Sequence, residues 1–97
     1  MTRLILMPAA LADLERIRDF LLAHDPDNAE DRLLDLTAGL DVLTLAPEIG
    51  RRVGKGAREL VIGRAARGYV ARYEYVARLE AAFILGVRHQ RESSRTR

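Results

Sequence analysis

Arg64, Arg67, Arg72, Arg88 and Arg91 bring guanidinium groups into the last third of the chain, and His89 stands among the last of them. A guanidinium stays charged at every physiological pH, and its planar fork matches carboxylate and phosphate oxygens. Such a set can hold an anion, or stabilise one that develops during a reaction. His89 is the member of this set whose charge changes near neutral pH. It can take an acid/base role, or it can be a strand-end imidazole bonded to backbone. His24, in a turn far away in sequence, reads as a solvated side chain. Two histidines so far apart, with no cysteine to help, do not make a metal site.

Tyr69, Tyr73 and Tyr75 accompany the arginines. In an extended strand they share one face and Arg72 takes the other. If the tyrosine face meets helices, the three are core. If it is open, tyrosines suit stacking on nucleotide bases, without the help of Arg72.

The net charge of +2 conceals a division. The first 50 residues carry four arginines (Arg3, Arg16, Arg18, Arg32) against ten carboxylates, a net of −6. Residues 51–97 carry eleven arginines and Lys55 against four glutamates, a net of +8. Either the basic half meets an anionic partner, or the two halves neutralise each other across one small domain. At 97 residues the chain makes one domain with a modest core, expected over residues 1–92. Residues 93–97, Ser-Ser-Arg-Thr-Arg, have nothing to bury and are expected to be a disordered tail. No apolar run approaches the roughly 20 residues of a membrane helix, and the opening residues lack a signal peptide's apolar segment. The expected location is the cytoplasm, with no membrane partner and no cofactor.

The positioning elements follow from periodicity. Leu4, Ile5 and Leu6 form a short strand that Pro8 ends. Leu11, Leu14, Arg18 and Leu21 recur at helical spacing over residues 9–23, with Ala10, Ile17 and Leu22 widening the stripe. His24-Asp25-Pro26-Asp27 breaks that helix. Asp27 or Asn28 can cap a second one, whose Ala29, Leu33, Leu36, Leu40 and Leu43 step 4, 3, 4, 3. Gly39 weakens its centre and is placed to allow close approach of a facing helix. Residues 50–57 are expected to be a basic, glycine-bearing loop that lacks the spacing of a phosphate loop.

Three apolar runs rich in Val, Ile, Tyr and Phe then read as an antiparallel meander over residues 58–63, 68–76 and 80–89, with a turn at 64–67. In the last run Ala81, Phe83, Leu85 and Val87 are expected on one face, and Ala82, Ile84, Gly86 and Arg88 on the other. Apolar residues on both faces mark it as a central strand. The predicted fold is a small α+β domain of order β-α-α-β-β-β. A helical hairpin covers one face of a mostly antiparallel sheet, and the arginines lie on the other.

This order resembles the RelE/ParE superfamily, the toxin halves of type II toxin–antitoxin modules. So do Pro-Ala-Ala-x-x-Asp-Leu after the first strand, the loop Ala-Pro-Glu-Ile-Gly-Arg and the close Val-Arg-His-Gln-Arg-Glu. The resemblance runs from Leu4 to Glu92. It implies one of two activities. RelE-like members cut mRNA on the ribosome; ParE-like members poison DNA gyrase. Metal-free RNA cleavage needs a base, a cation for the phosphate and an acid for the leaving oxygen. RelE-like enzymes supply these from an arginine opening the third strand, a basic or His residue on the fourth and often a C-terminal tyrosine. Here Tyr69 opens the third strand and no tyrosine follows Tyr75. A nuclease site would have to be assembled from Arg64, Arg72, Arg88, His89 and Arg91.

Tyr69-Val70-Ala71-Arg72-Tyr73 and Val87-Arg88-His89-Gln90-Arg91 resemble the ParE-like branch better. That branch implies Tyr69, Arg88, His89 and Arg91 as target-binding residues. The resemblance also implies a cognate ParD-like antitoxin. Its helix would lie along Leu14, Arg18, Leu21, Leu36 and Leu40, and its acidic residues would face Arg64, Arg67 and Arg72. The expected function is therefore that of a gyrase-inhibiting toxin. The alternatives are a ribosome-dependent endoribonuclease and a non-toxic binding domain.

Overall fold

Pro8 decides where the first strand stops and the first helix starts. In a computed structural model of the chain, which describes residues 1–63 and 68–90, β1 (Arg3–Leu6) gives way through extended Met7 to α1 (Pro8–His24), with proline in its first turn. That position loses nothing by lacking an N–H. The Asp25-Pro26 corner separates α1 from α2 (Ala29–Asp41), which closes in a 3₁₀ turn over Val42–Thr44. The sheet follows as β2 (Arg51–Gly54), β3 (Ala57–Ile62), β4 (Tyr69–Val76) and β5 (Ala81–His89).

The strands lie in the order β1-β5-β4-β3-β2. β1 runs parallel to β5, and every other neighbouring pair is antiparallel. β5 is central, as its two apolar faces predict. The fold class is α+β with the hairpin of helices on one sheet face, and it contains one more strand than expected. Residues 50–57 are no loop. Arg51–Gly54 pairs with β3, and Lys55-Gly56 forms the two-residue connection with φ of 53° and 80°. Positive φ at both central residues is the type I′ turn, whose twist matches that of the strands it joins. The glycines that suggest a loop are the turn chemistry of a hairpin.

The core fills the space between helices and sheet. Ala29, Leu36 and Leu40 on α2 and Leu43 in the 3₁₀ turn that follows are buried as their spacing predicts, and Leu33 packs beside them. On α1 the buried face is turned from the predicted stripe. Ala10, Ile17 and Leu21 are buried with Leu14 at their edge, whereas Leu11, Arg18 and Leu22 lie exposed on the flank. The sheet contributes Tyr69, Ala71, Tyr73, Ala82, Ile84 and Val87 to the same cluster, so the tyrosine face of β4 is the helix face. The partner at Gly39 is a strand residue. A Cβ there would lie 2.5 Å from Cγ2 of Ile62 on β3.

β5 also breaks the predicted alternation. Arg72 pairs with Gly86 while Tyr73 pairs with Ile84, which leaves Leu85 as an extra residue. This bulge shifts the phase by one. Ala82, Ile84 and Val87 therefore all face the core, and Val87 parts from Ala81 and Phe83. Among the described residues no helix is long and apolar enough to cross a membrane. The predicted turn at 64–67 and tail at 93–97 lie outside the described residues.

Candidate binding face

Strand register assembles the site. Arg51 on β2 pairs with Glu59 on β3, Glu59 with Arg72 on β4, and Arg72 with Gly86 on β5. Directly paired residues share a face, so these four form a row across the sheet on the side away from the helices. Arg88 follows in the next row, opposite Val70. Glu59 ties the basic residues together. Its Oε1 accepts from Nη2 of Arg51 at 3.3 Å, and its Oε2 from Nη2 of Arg88 at 3.5 Å. The Glu59 side chain is 16% exposed, against 76% for Arg51. One shielded carboxylate thus holds two guanidinium groups, one of them reached across β4. The Nε of Arg88 is buried with no hydrogen-bond partner among the described residues.

Arg72 is exposed, and Gly86 opposite it carries no side chain to crowd its guanidinium. The result is a cleft of about 200 Å³ lined by Asp13, Arg16, Arg72, Gly86 and Arg88 among others. Asp13 belongs to α1 and reaches the cleft because β1 has already ended. The last β1-side bond to β5 runs from Met7 N–H to the Ile84 carbonyl, at 3.0 Å. Beyond it the Val87 N–H donates to Oδ2 of Asp13 at 2.9 Å, and Arg16 donates to Oδ1 at 3.1 Å. A Cβ on Gly86 would sit 3.2 Å from that carboxylate, so the glycine keeps the approach open.

His89 looks the other way. It pairs with Tyr69 across β4 and β5, and the two rings meet edge to face at 5.4 Å and 83°. Tyr69 is 5% exposed and belongs to the core. The imidazole is therefore on the helix side of the sheet, while Arg72 and Arg88 are on the open side. Tyr73 is fully buried; its hydroxyl donates to the Pro47 carbonyl at 2.7 Å and accepts from the Gly50 N–H at 2.9 Å. Tyr69 and Tyr73 are structural and offer no stacking platform; Tyr75 is only partly buried.

Of the residues implied by the resemblance, the fold brings Arg72 and Arg88 together and separates them from Tyr69 and His89. Tyr69 is buried, and so are Leu21, Leu36 and Leu40, at 1%, 1% and 4% exposure. Those leucines fill this chain's own core and line no outer groove; Leu14 packs at the core's edge. Arg18 is exposed, with Asp19 at 3.2 Å. Arg64, Arg67 and Arg91 lie outside the described residues. Sequence reasoning passed over Arg51, Glu59 and Asp13. The signal for the first two is the Lys-Gly turn, which sets Arg51 opposite Glu59 once it is recognised as a hairpin. Chemically the face presents fixed cations to an anion. The carboxylates Glu59 and Asp13 are bonded to arginines, and Glu74, two residues along β4 from Arg72, stands exposed on the same face.

A mixed five-stranded sheet, a helical hairpin on one face and arginines on the other define a member of the RelE/ParE class of small toxins. Residues 4–94 match the model of the family described as ParE toxin of type II toxin–antitoxin system, parDE, and the chain belongs to that family. It is 35% identical over 86 residues to Toxin RelE3 of Caulobacter vibrioides, an alignment that covers 88% of this chain and 90% of the relative. Its fold is similar to a structure of the chromosomal ParDE toxin–antitoxin system from P. aeruginosa. The TM-score there is 0.75, with 22% identity over 92% of this chain and 96% of that one.

Proposed function

We propose that this toxin acts in the cytoplasm by inhibiting DNA gyrase, and that a ParD-like antitoxin neutralises it. The observation that carries the gyrase reading is the orientation of His89. A nuclease needs a proton-transfer group beside the cations that stabilise the phosphate. Here the imidazole packs on buried Tyr69, across the sheet from Arg72 and Arg88. Tyr69 also fills the place where RelE-like enzymes carry an arginine. The open face suits binding better than cleavage.

The name of the Caulobacter relative, Toxin RelE3, favours a second reading, a ribosome-dependent endoribonuclease. An antitoxin helix is supported by the exposed flank of the hairpin. There Leu11, Arg18 and Leu22 fall on one side of α1, and Leu34 of α2 is 59% exposed. Such apolar surface next to a cation suits an amphipathic acidic helix.

Induced expression tests the reading. His89→Ala and His89→Gln should arrest growth as the unaltered chain does, and co-expression of the product of the neighbouring reading frame should restore it. Loss of toxicity in both variants, with native circular dichroism retained, supports the nuclease instead.

A further inference from the structure

A second basic cleft lies on the helix side of the sheet, away from Arg72 and Arg88. It measures about 410 Å³, and among its lining residues are Glu48, Arg52, Lys55, Arg58, Tyr75 and Ala77. Three cations and one carboxylate stand around it. Arg52 and Arg58 are direct cross-strand partners on β2 and β3. Like charges in that relation oppose folding unless something anionic lies between them. Arg58 is also held in place: its Nη1 donates to the carbonyls of Glu48 and Gly50 at 3.0 and 2.9 Å. Those partners are neutral, so they fix the guanidinium without cancelling its charge. Lys55 sits at the first central position of the type I′ turn with φ of 53°. Glycine and asparagine are the ordinary residues there, and a lysine is strained. The strain places an ammonium group on the cleft rim.

We propose that this cleft binds an extended acidic segment of the antitoxin, a carboxylate engaging Arg58 while Arg52 and Lys55 close over it. The proposal rests on the reading that an antitoxin neutralises this toxin. Charge complementarity names the chemistry of the occupant. The shape favours peptide over nucleic acid. The cations gather around one open cleft with Tyr75 and Ala77 in its lining, whereas a phosphate backbone asks for a continuous stripe of charge. Tyr75 is partly buried and packs against the core, so the apolar part of the lining is preformed.

The probe is a fluorescein-labelled peptide of alternating glutamate and leucine, titrated with the full chain at low ionic strength and followed by anisotropy. Arg52→Glu with Lys55→Glu should weaken binding at least tenfold. Arg3→Glu with Arg78→Glu, two exposed arginines outside the cleft lining, makes the same change in net charge elsewhere and should leave binding unchanged. Equal losses in the two pairs, or no binding to the unaltered chain, overturn the proposal. So does a single-stranded oligonucleotide that displaces the peptide and shows the same dependence on Arg52 and Lys55. In cells, the neighbouring frame's product should restore growth against the unaltered toxin and fail against the Arg52→Glu, Lys55→Glu form. Equal rescue of both overturns the cleft and leaves the antitoxin reading standing. If it rescues neither, the antitoxin reading falls, and with it the assignment of the segment to an antitoxin.

Discussion

The Asp13 carboxylate accepts the Val87 N–H at 2.9 Å, joining the second turn of α1 to the edge of β5 just past the end of β1. A β5 backbone donor that no strand reaches is satisfied by a side chain, and the same carboxylate orients Arg16 at the cleft. Asp13→Ala removes both contacts. It should lower stability by about 1–2 kcal/mol, the range for a hydrogen bond to a charged group discounted for partial exposure. Asp13→Asn should recover most of that loss. Urea unfolding midpoints and the exchange rate of the Val87 amide check the pair.

Tyr73→Phe keeps the ring and deletes one oxygen. The Pro47 carbonyl and the Gly50 N–H then lose a partner in a region closed to water. The expected cost is about 1–3 kcal/mol. Calorimetry should show a lower Tm with unchanged circular dichroism.

Gly39→Ala sets two effects against each other. Alanine favours a helix interior over glycine by about 1 kcal/mol. The new methyl would press on Ile62, at 2.5 Å from Cγ2 and 2.9 Å from Cγ1. Overpacking of that kind costs about 1–3 kcal/mol, so the variant should be less stable despite its better propensity. Adding Ile62→Ala, which removes both of those carbons, should relieve the overpacking, so that a double-mutant cycle reads a favourable coupling between the two sites.

Glu59→Gln leaves Arg51, Arg72 and Arg88 together with no carboxylate between them. Stability should fall by about 1 kcal/mol at low salt, and added salt should return part of it by screening the repulsion. Arg72→Ala should leave stability nearly unchanged, Arg88→Ala should cost up to about 1 kcal/mol by taking one partner from shielded Glu59, and both should reduce toxicity. Growth curves at matched protein levels check that.

How much of this was legible in the sequence follows from which rules are local. The step of Ala29, Leu33, Leu36, Leu40 and Leu43 specifies a face by itself, and the structure buries it. Val-, Ile- and Tyr-rich runs specify strands. The order and the central place of β5 come from those runs and the helical hairpin. The α1 stripe is harder to place, because Leu11 and Leu22 are apolar yet exposed on the flank, and hydrophobicity alone cannot tell a core leucine from an exposed one. The Leu85 bulge was invisible, since nothing in Ile-Leu-Gly-Val marks which residue is extra, and it decides which way Val87 points. Register set the site as well. The pairing of Glu59 with Arg51 and Arg72 depends on a two-residue turn at Lys55-Gly56, whose glycines in sequence suggest a loop as readily as a hairpin. His89 lies opposite Tyr69 rather than beside Arg88 for the simplest reason: adjacent residues in a strand face opposite ways.

The proposed binding of gyrase by the open arginine face, without RNA cleavage, has a direct test. The direct measurement sets purified toxin against purified gyrase on relaxed plasmid, and in parallel against mRNA on translating ribosomes. The predicted result is blocked supercoiling with cleaved DNA trapped by the gyrase, reduced by Arg72→Ala and Arg88→Ala, while the mRNA stays intact. Undisturbed supercoiling together with cut mRNA would contradict it.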